Sequence, residues 1–134
     1  LMDRTLVIAL KQIEVFLPKL ENNTYELKPQ DHSKANNWRK RSTPDEKIDF
    51  RMSANAIYNL IRSLTHPYVG AHIEKNEKRY KVWSSKVVND VEKNIEYGKV
   101  IKSNNKTFTV KTLDGCIEIM EHEFKPTPKV GEYL

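Results

Sequence analysis

The sequence predicts an α+β fold: a leading amphipathic helix and a linker, then a helix packed on a small open antiparallel β-barrel. Three observations carry this. Two stretches, near the amino terminus and over 53–64, place apolar residues at steps of three and four, the spacing of one helix face. From Ala71 onward the pattern becomes five short runs with period two, separated by turn residues. Between the helices, residues 22–50 sustain neither period. With 134 residues and 15.7 kDa, the chain has room for one domain with a core and a piece of another.

The first helix is read from MDRTLVIALKQIEVFLPKLE. Leu6, Leu10, Ile13, Leu17 and Leu20 form a stripe, Asp3 is a plausible cap, and Pro18 is expected to end or kink the helix near Leu17. Val7, Ile8 and Phe16 widen the stripe beyond the needs of a lone surface helix, so its cover is expected to come from residues outside this chain. The order Leu1-Met2 at the start reads as a tag remnant or as a fragment of a longer protein. Residues 1–21 are accordingly taken as the terminal helix of a truncated catalytic domain, 22–50 as an extended linker, and 51–134 as a helix-plus-barrel domain.

The linker has few apolar anchors: Tyr25, Leu27, Trp38, Ile48 and Phe50. Its basic run, Arg39, Lys40 and Arg41, reads as a solvated loop, with phosphate contact as the alternative. Ser53 then caps the second helix, whose Ile57, Leu60, Ile61 and Leu64 make a core face. Tyr58 and Arg62 lie four residues apart on its flank, where an arginine stem can run along the helix and place its guanidinium against a neighbour. His66-Pro67 ends the helix, and Gly70 supplies the freedom to turn.

The five strands are read in AHIE, KRYKVWSSKVV, GKVIKS, KTFTVKT and CIEIMEHEF. Tyr80, Val82, Phe108, Val110, Ile117 and Ile119 share the inner face, whereas Trp83 points the other way. Five short strands with tight turns favour a small barrel.

Chemistry is sparse. His32, His66, His72 and His122 lack the spacing of metal ligands, so no metal is expected. His66 and His72 are read as a helix-end and a strand-surface residue. Asp45, Glu46, Asp49, Glu118, Glu121 and Glu123 show no sign of burial that would raise a pKa. Ser42, Ser84 and Ser85 lack the glycine-flanked turn of a nucleophile, and four unclustered glycines make no phosphate loop. Cys116 is read as a small buried hydrophobe. No apolar run reaches the roughly 20 residues of a membrane span and no signal peptide is visible, so no membrane partner and a cytoplasmic location are expected. The net charge of +5 favours anionic partners. No catalytic residue is assigned.

The layout resembles the carboxy-terminal part of the formyltransferases that use formyl-tetrahydrofolate, the family of methionyl-tRNA formyltransferases and sugar-nucleotide N-formyltransferases. The resemblance covers nearly the whole chain. It is most specific at Ile48-Asp49-Phe50, Ile61-Arg62, Pro67-Tyr68-Val69-Gly70-Ala71, Lys81-Val82-Trp83 and Tyr97-Gly98-Lys99-Val100. It implies an upstream α/β catalytic domain with an Asn, His, Asp set that has no counterpart here. Formyl-tetrahydrofolate would belong to the full-length enzyme, with none expected for this chain alone and no activity from it. Tyr58, Arg62, His66 and Tyr68 would lie at the domain junction or beside the substrate. The acceptor would be an amino-sugar nucleotide or initiator tRNA. The turn Thr65-His66-Pro67-Tyr68-Val69-Gly70 departs from the Asn-Pro-Trp-Pro-Gly common in the tRNA branch, which with Asp49-Phe50-Arg51-Met52-Ser53 leans the reading toward the sugar branch.

Two other readings stand beside this one. A freestanding barrel could bind single-stranded nucleic acid through Arg39, Lys40, Arg41 and Trp83, although Tyr80 and Phe108 look core-facing. A homodimer could instead cover the broad stripe of the first helix.

Overall fold

The computed structural model of the chain describes residues 2–89 and 94–134; Leu1, where the tag-remnant reading falls, lies outside them. The chain divides into two compact units, residues 1–39 and residues 40–134.

In the first unit, helix α1 spans Met2–Glu21. It does not stop near Leu17 as its proline predicts. A proline lacks the amide hydrogen and crowds the preceding turn, yet the helix runs one turn past Pro18. Its end is set by Asn23, whose φ of 54° is left-handed. Thr24 N–H then donates to the Lys19 carbonyl (2.9 Å) and Asn23 N–H to that of Leu20 (3.2 Å), satisfying carbonyls that the helix end leaves open. Within this unit Leu6, Leu10, Ile13, Leu17 and Leu20 are all exposed. Asp31 caps a short 3-10 turn at His32–Lys34 by accepting from Ser33 N–H (3.0 Å).

The second unit begins with a strap. A 3-10 turn at Thr43–Glu46 is closed where Asp45 accepts from Ser42 N–H (2.9 Å). Ile48 and Phe50 are buried, so the strap's apolar residues belong to the core of this unit. Helix α2 spans Ala54–Leu64. Ser53 Oγ accepts from Ala56 N–H (3.1 Å) as the sequence leads one to expect. A second anchor is not local: Asp114 accepts from Ala54 N–H (2.9 Å), tying the helix start to a turn sixty residues away. Ile57 and Ile61 are fully buried and Leu60 and Leu64 partly so, which is the face the spacing foretold. Each fully buried isoleucine contributes about 1.5–3 kcal/mol.

The strands are β1 (Ala71–Lys75), β2 (Lys78–Val88), β3 (Val100–Ser103), β4 (Phe108–Lys111) and β5 (Cys116–His122). They form one antiparallel sheet in the order β1-β2-β5-β4-β3. Asn76 and Glu77, both at positive φ, make the two-residue turn between β1 and β2, whose twist suits paired strands. β2 pairs with β1 through Val82 and with β5 from Val82 onward, and its pairing slips at Val82/Ser84 and Ser84/Ser85. Such irregularities bend a strand and curl a sheet. The sheet curls without closing into a full barrel. Val82, Phe108, Val110, Ile117 and Ile119 face the core, and Tyr80 is half-buried against Phe124 with ring centroids 4.0 Å apart. Cys116 is buried. The outer edge of β3 is covered by the chain's last residues: Gly131 N–H donates to Val100 O and Val100 N–H to Glu132 O, both at 2.8 Å. No helix among the described residues is long and apolar enough to cross a membrane.

Candidate functional site

Tyr58, Arg62, His66 and Trp83, all singled out from the sequence, meet at the end of α2. Tyr58 and Arg62 are one turn apart, and the guanidinium carbon lies 5.8 Å from the Tyr58 ring centroid, over its face. The chain then reverses through residues 65–70. Tyr68 N–H donates to Thr65 O (3.1 Å) and Gly70 N–H to Leu64 O (2.8 Å). The reversal needs glycine at position 70 twice over. Its φ is +76°, and a Cβ there would sit 2.7 Å from Cζ3 of Trp83. His66 stacks on the same indole, with ring centroids 3.9 Å apart and planes 13° apart. One face of Trp83 is therefore taken by the chain's own turn.

A cleft of about 190 Å³ opens beside this stack, lined by Tyr58, Arg62, Thr65, Trp83, Ser84 and Ser85, with Ile61 at its floor. Tyr68 is exposed and lies outside the cleft. Arg39 closes the first unit; Lys40 and Arg41, both exposed, open the second and are not part of the cleft.

A second group of polar side chains surrounds β1. Lys47 Nζ lies 2.6 Å and Arg79 Nε 3.1 Å from the Glu74 carboxylate. The hydrogen bond from Lys47 and then that from Arg79 pull the Glu74 pKa down to about 2. His72, expected on a strand surface, is instead only 1% exposed. The reason is the strap: Ile48 N–H donates to His72 O (2.8 Å) and Lys47 bridges to it, so residues 47–48 lie along the free edge of β1. Nothing local in the sequence signals that cover. Burial pushes the His72 imidazole below its ordinary 6.5, with Lys81 adding to the effect. Lys81 Nζ itself donates to Gly70 O (3.0 Å) and reaches Glu46 (3.4 Å).

Among the described residues no three His, Cys, Asp or Glu side chains gather as metal ligands. The carboxyls that do shift, Asp31, Asp49, Glu74 and Glu132, all shift downward, each held ionised chiefly by a hydrogen-bond donor. Ser84 and Ser85 face the cleft with neither a histidine nor a carboxylate in its lining.

The second unit is a helix laid on a curled five-stranded antiparallel sheet, with a strap on the sheet's edge. Residues 40–132 match the family model "Formyl transferase, C-terminal domain", and the chain belongs to that family. It is 34% identical over 116 residues to the methionyl-tRNA formyltransferase of Mycoplasma capricolum subsp. capricolum, covering 85% of this chain and 36% of the relative. With that of Lactococcus lactis subsp. lactis it shares 33% identity over 89 residues, 66% of this chain and 28% of the relative. The chain thus spans about a third of these proteins. Their names give no support to the lean toward the sugar branch.

HypX from Aquifex aeolicus has the same fold, with a TM-score of 0.57 at 16% identity over 83% of this chain and 19% of that one. A HypX structure in complex with tetrahydrofolic acid aligns with a TM-score of 0.53 at 17% identity, over 77% of this chain and 18% of that one. A cleft of about 570 Å³ beside β3 is lined by polar residues such as Asn104, Lys125 and Lys129 together with Pro126 and Val130, and its Phe124 ring is turned into the core. No step of formyl transfer is assigned to these residues.

Proposed function

We propose that this chain is the acceptor-binding, carboxy-terminal part of a formyltransferase that acts on methionyl-tRNA. The formyl group would come from formyl-tetrahydrofolate, in a catalytic domain outside these residues. The observation that carries the reading is the 34% identity to a methionyl-tRNA formyltransferase over 85% of the chain. The net charge of +5 supports an RNA acceptor. In this reading residues 1–21 would be the last helix of the catalytic domain, which would cover the exposed leucines of α1, and residues 22–39 would link it to the second unit, residues 40–134. Tyr58, Arg62 and the His66-Trp83 stack would hold the junction, with Tyr68 presented beside it. The working location is the cytoplasm, where charged tRNA is found.

The departure of Thr65-His66-Pro67-Tyr68-Val69-Gly70 from the usual turn of the tRNA branch keeps an amino-sugar nucleotide as the second reading. The two separate by binding. Retention of initiator tRNA on filters should weaken steeply as salt rises, because each neutralised phosphate releases counterions. Absence of tRNA binding at low salt, together with calorimetric binding of a nucleoside-diphosphate amino sugar, would reverse the order of the two readings. Neither acceptor should be formylated by this chain alone when formyl-tetrahydrofolate is supplied.

A further inference from the structure

The cleft beside the His66-Trp83 stack holds a donor set that the stack does not use. Its one charged residue is Arg62, whose guanidinium carbon lies over the Tyr58 ring at 5.8 Å from the centroid. Stacking engages the flat face of a guanidinium and leaves its N–H groups, which lie in the plane, to form a fork. Thr65, Ser84 and Ser85 add hydroxyls, and neither a carboxylate nor a second cation lines the space. Ser84 and Ser85 stand where the pairing of β2 with β5 slips, and an irregularity of that kind re-aims side chains and recurs beside binding sites. Ser85 Oγ is buried and has no hydrogen-bond partner among the described residues. A hydroxyl left so is a net cost to the fold unless another group satisfies it.

Size and charge narrow what fits. At about 190 Å³ the space lies well below the roughly 300–1,000 Å³ of pockets that enclose drug-sized ligands, so it takes a group of a few heavy atoms and not a whole nucleotide. A single guanidinium matches one negative charge. A phosphate monoester brings close to two at neutral pH, and nothing in the lining balances the second. A carboxylate brings one, and its two oxygens meet the arginine fork in plane. Trp83 and Ile61 supply an apolar wall for a short stem.

We propose that this cleft is a binding site for a single carboxylate on a short aliphatic stem. Arg62 takes it in two hydrogen bonds and the Ser85 hydroxyl in a third, reaching it by rotation to another staggered position about χ1. The carboxylate is a free small acid or the side chain of a glutamate on a protein segment that docks here. The binding chemistry is independent of the acceptor reading; where the junction reading holds, the glutamate belongs to the domain packed against α2.

The test is a proton–nitrogen NMR titration of the 134-residue chain at constant ionic strength, following Arg62 Nε–H, Trp83 Nε1–H and the Ser85 amide. Sodium propionate is the probe, propionamide its uncharged match and inorganic phosphate the competing anion. Propionate should shift these signals saturably with a Kd on the order of 10 mM, a value suited to so small a ligand. Arg62→Gln should weaken it about tenfold or more, and Ser85→Ala about threefold. Arg51→Gln, outside the cleft, should leave the Kd unchanged. Arg62 is exposed, so its variant should keep the parent's circular dichroism. The tripeptide acetyl-Ala-Glu-Ala-amide separates the two sources: binding at least as tight as that of propionate assigns the cleft to a docked side chain, and weaker or no binding assigns it to a free acid. If propionamide shifts the signals as much as propionate, if phosphate binds as tightly, or if Arg62→Gln leaves the propionate Kd unchanged, the carboxylate site is overturned. Binding of tRNA by the same samples bears only on the acceptor reading, so either can fail without the other.

Discussion

The imidazole of His66 lies flat on the indole of Trp83, 3.9 Å between centroids, and the backbone of Gly70 closes against the same indole. The stack clamps the end of α2 to β2, and through it sets where Arg62 and Tyr58 stand. Trp83→Ala should therefore destabilise the second unit by about 2–3 kcal/mol, below the usual cost of truncating a fully buried tryptophan because the ring is only half-buried. Gly70→Ala should cost about 2 kcal/mol or more, since it adds a contact with Trp83 to a left-handed backbone. Urea unfolding measures both. Loss of tRNA binding without loss of stability in Trp83→Ala would instead mark the indole as a base-stacking surface.

Arg62 tests the junction. Its contact with Tyr58 is exposed and worth only about 0.5–1 kcal/mol. Arg62→Ala should lower the melting temperature of this chain by a few degrees at most. In a longer protein carrying the catalytic domain, the same change should reduce formyl transfer well beyond that stability loss. Equal activity in that protein would remove Arg62 from the junction.

Acid should weaken the fold in two stages. Burial holds His72 and His122 below their ordinary 6.5. As pH falls the unfolded chain takes up these protons first, so stability declines from about pH 6.5 downward until the folded imidazoles titrate. Glu74 behaves oppositely in origin. Its pairing with Lys47 and Arg79 is fully stabilising above 4.5 and is lost as pH falls from there toward about 2. His72→Gln should reduce the first stage to the part due to His122 and leave the second, as read from denaturant midpoints at pH 7.5, 5.5 and 3.5.

The strap is core, and trimming it should show this. A chain begun at Lys40 should fold cooperatively, whereas one begun at Arg51 should not, because it lacks Ile48 and Phe50. Phe50→Ala in the full chain should cost about 3–5 kcal/mol by denaturant unfolding. An Arg51-begun chain with a full near-ultraviolet signal would refute the assignment.

Local pattern determined a good deal of this protein. The apolar spacing of Ile57, Leu60, Ile61 and Leu64 marked α2 and its buried face, and period-two runs marked all five strands with Val82, Phe108, Val110, Ile117 and Ile119 inside. These are properties of residues a few positions apart, where backbone geometry alone decides which side chains share a face. What needed the tertiary structure lay between distant residues. Burial of His72 depends on a strap that arrives from twenty-four positions upstream, the start of α2 is tied to Asp114, and Trp83 meets His66 only once α2 has docked on β2. The cleft with Lys125 and Lys129 forms only when residues 125–130 pass beside the β3–β4 turn. Long-range contacts of this kind leave no period in the sequence, because the partners are matched by the packed core and not by their spacing along the chain.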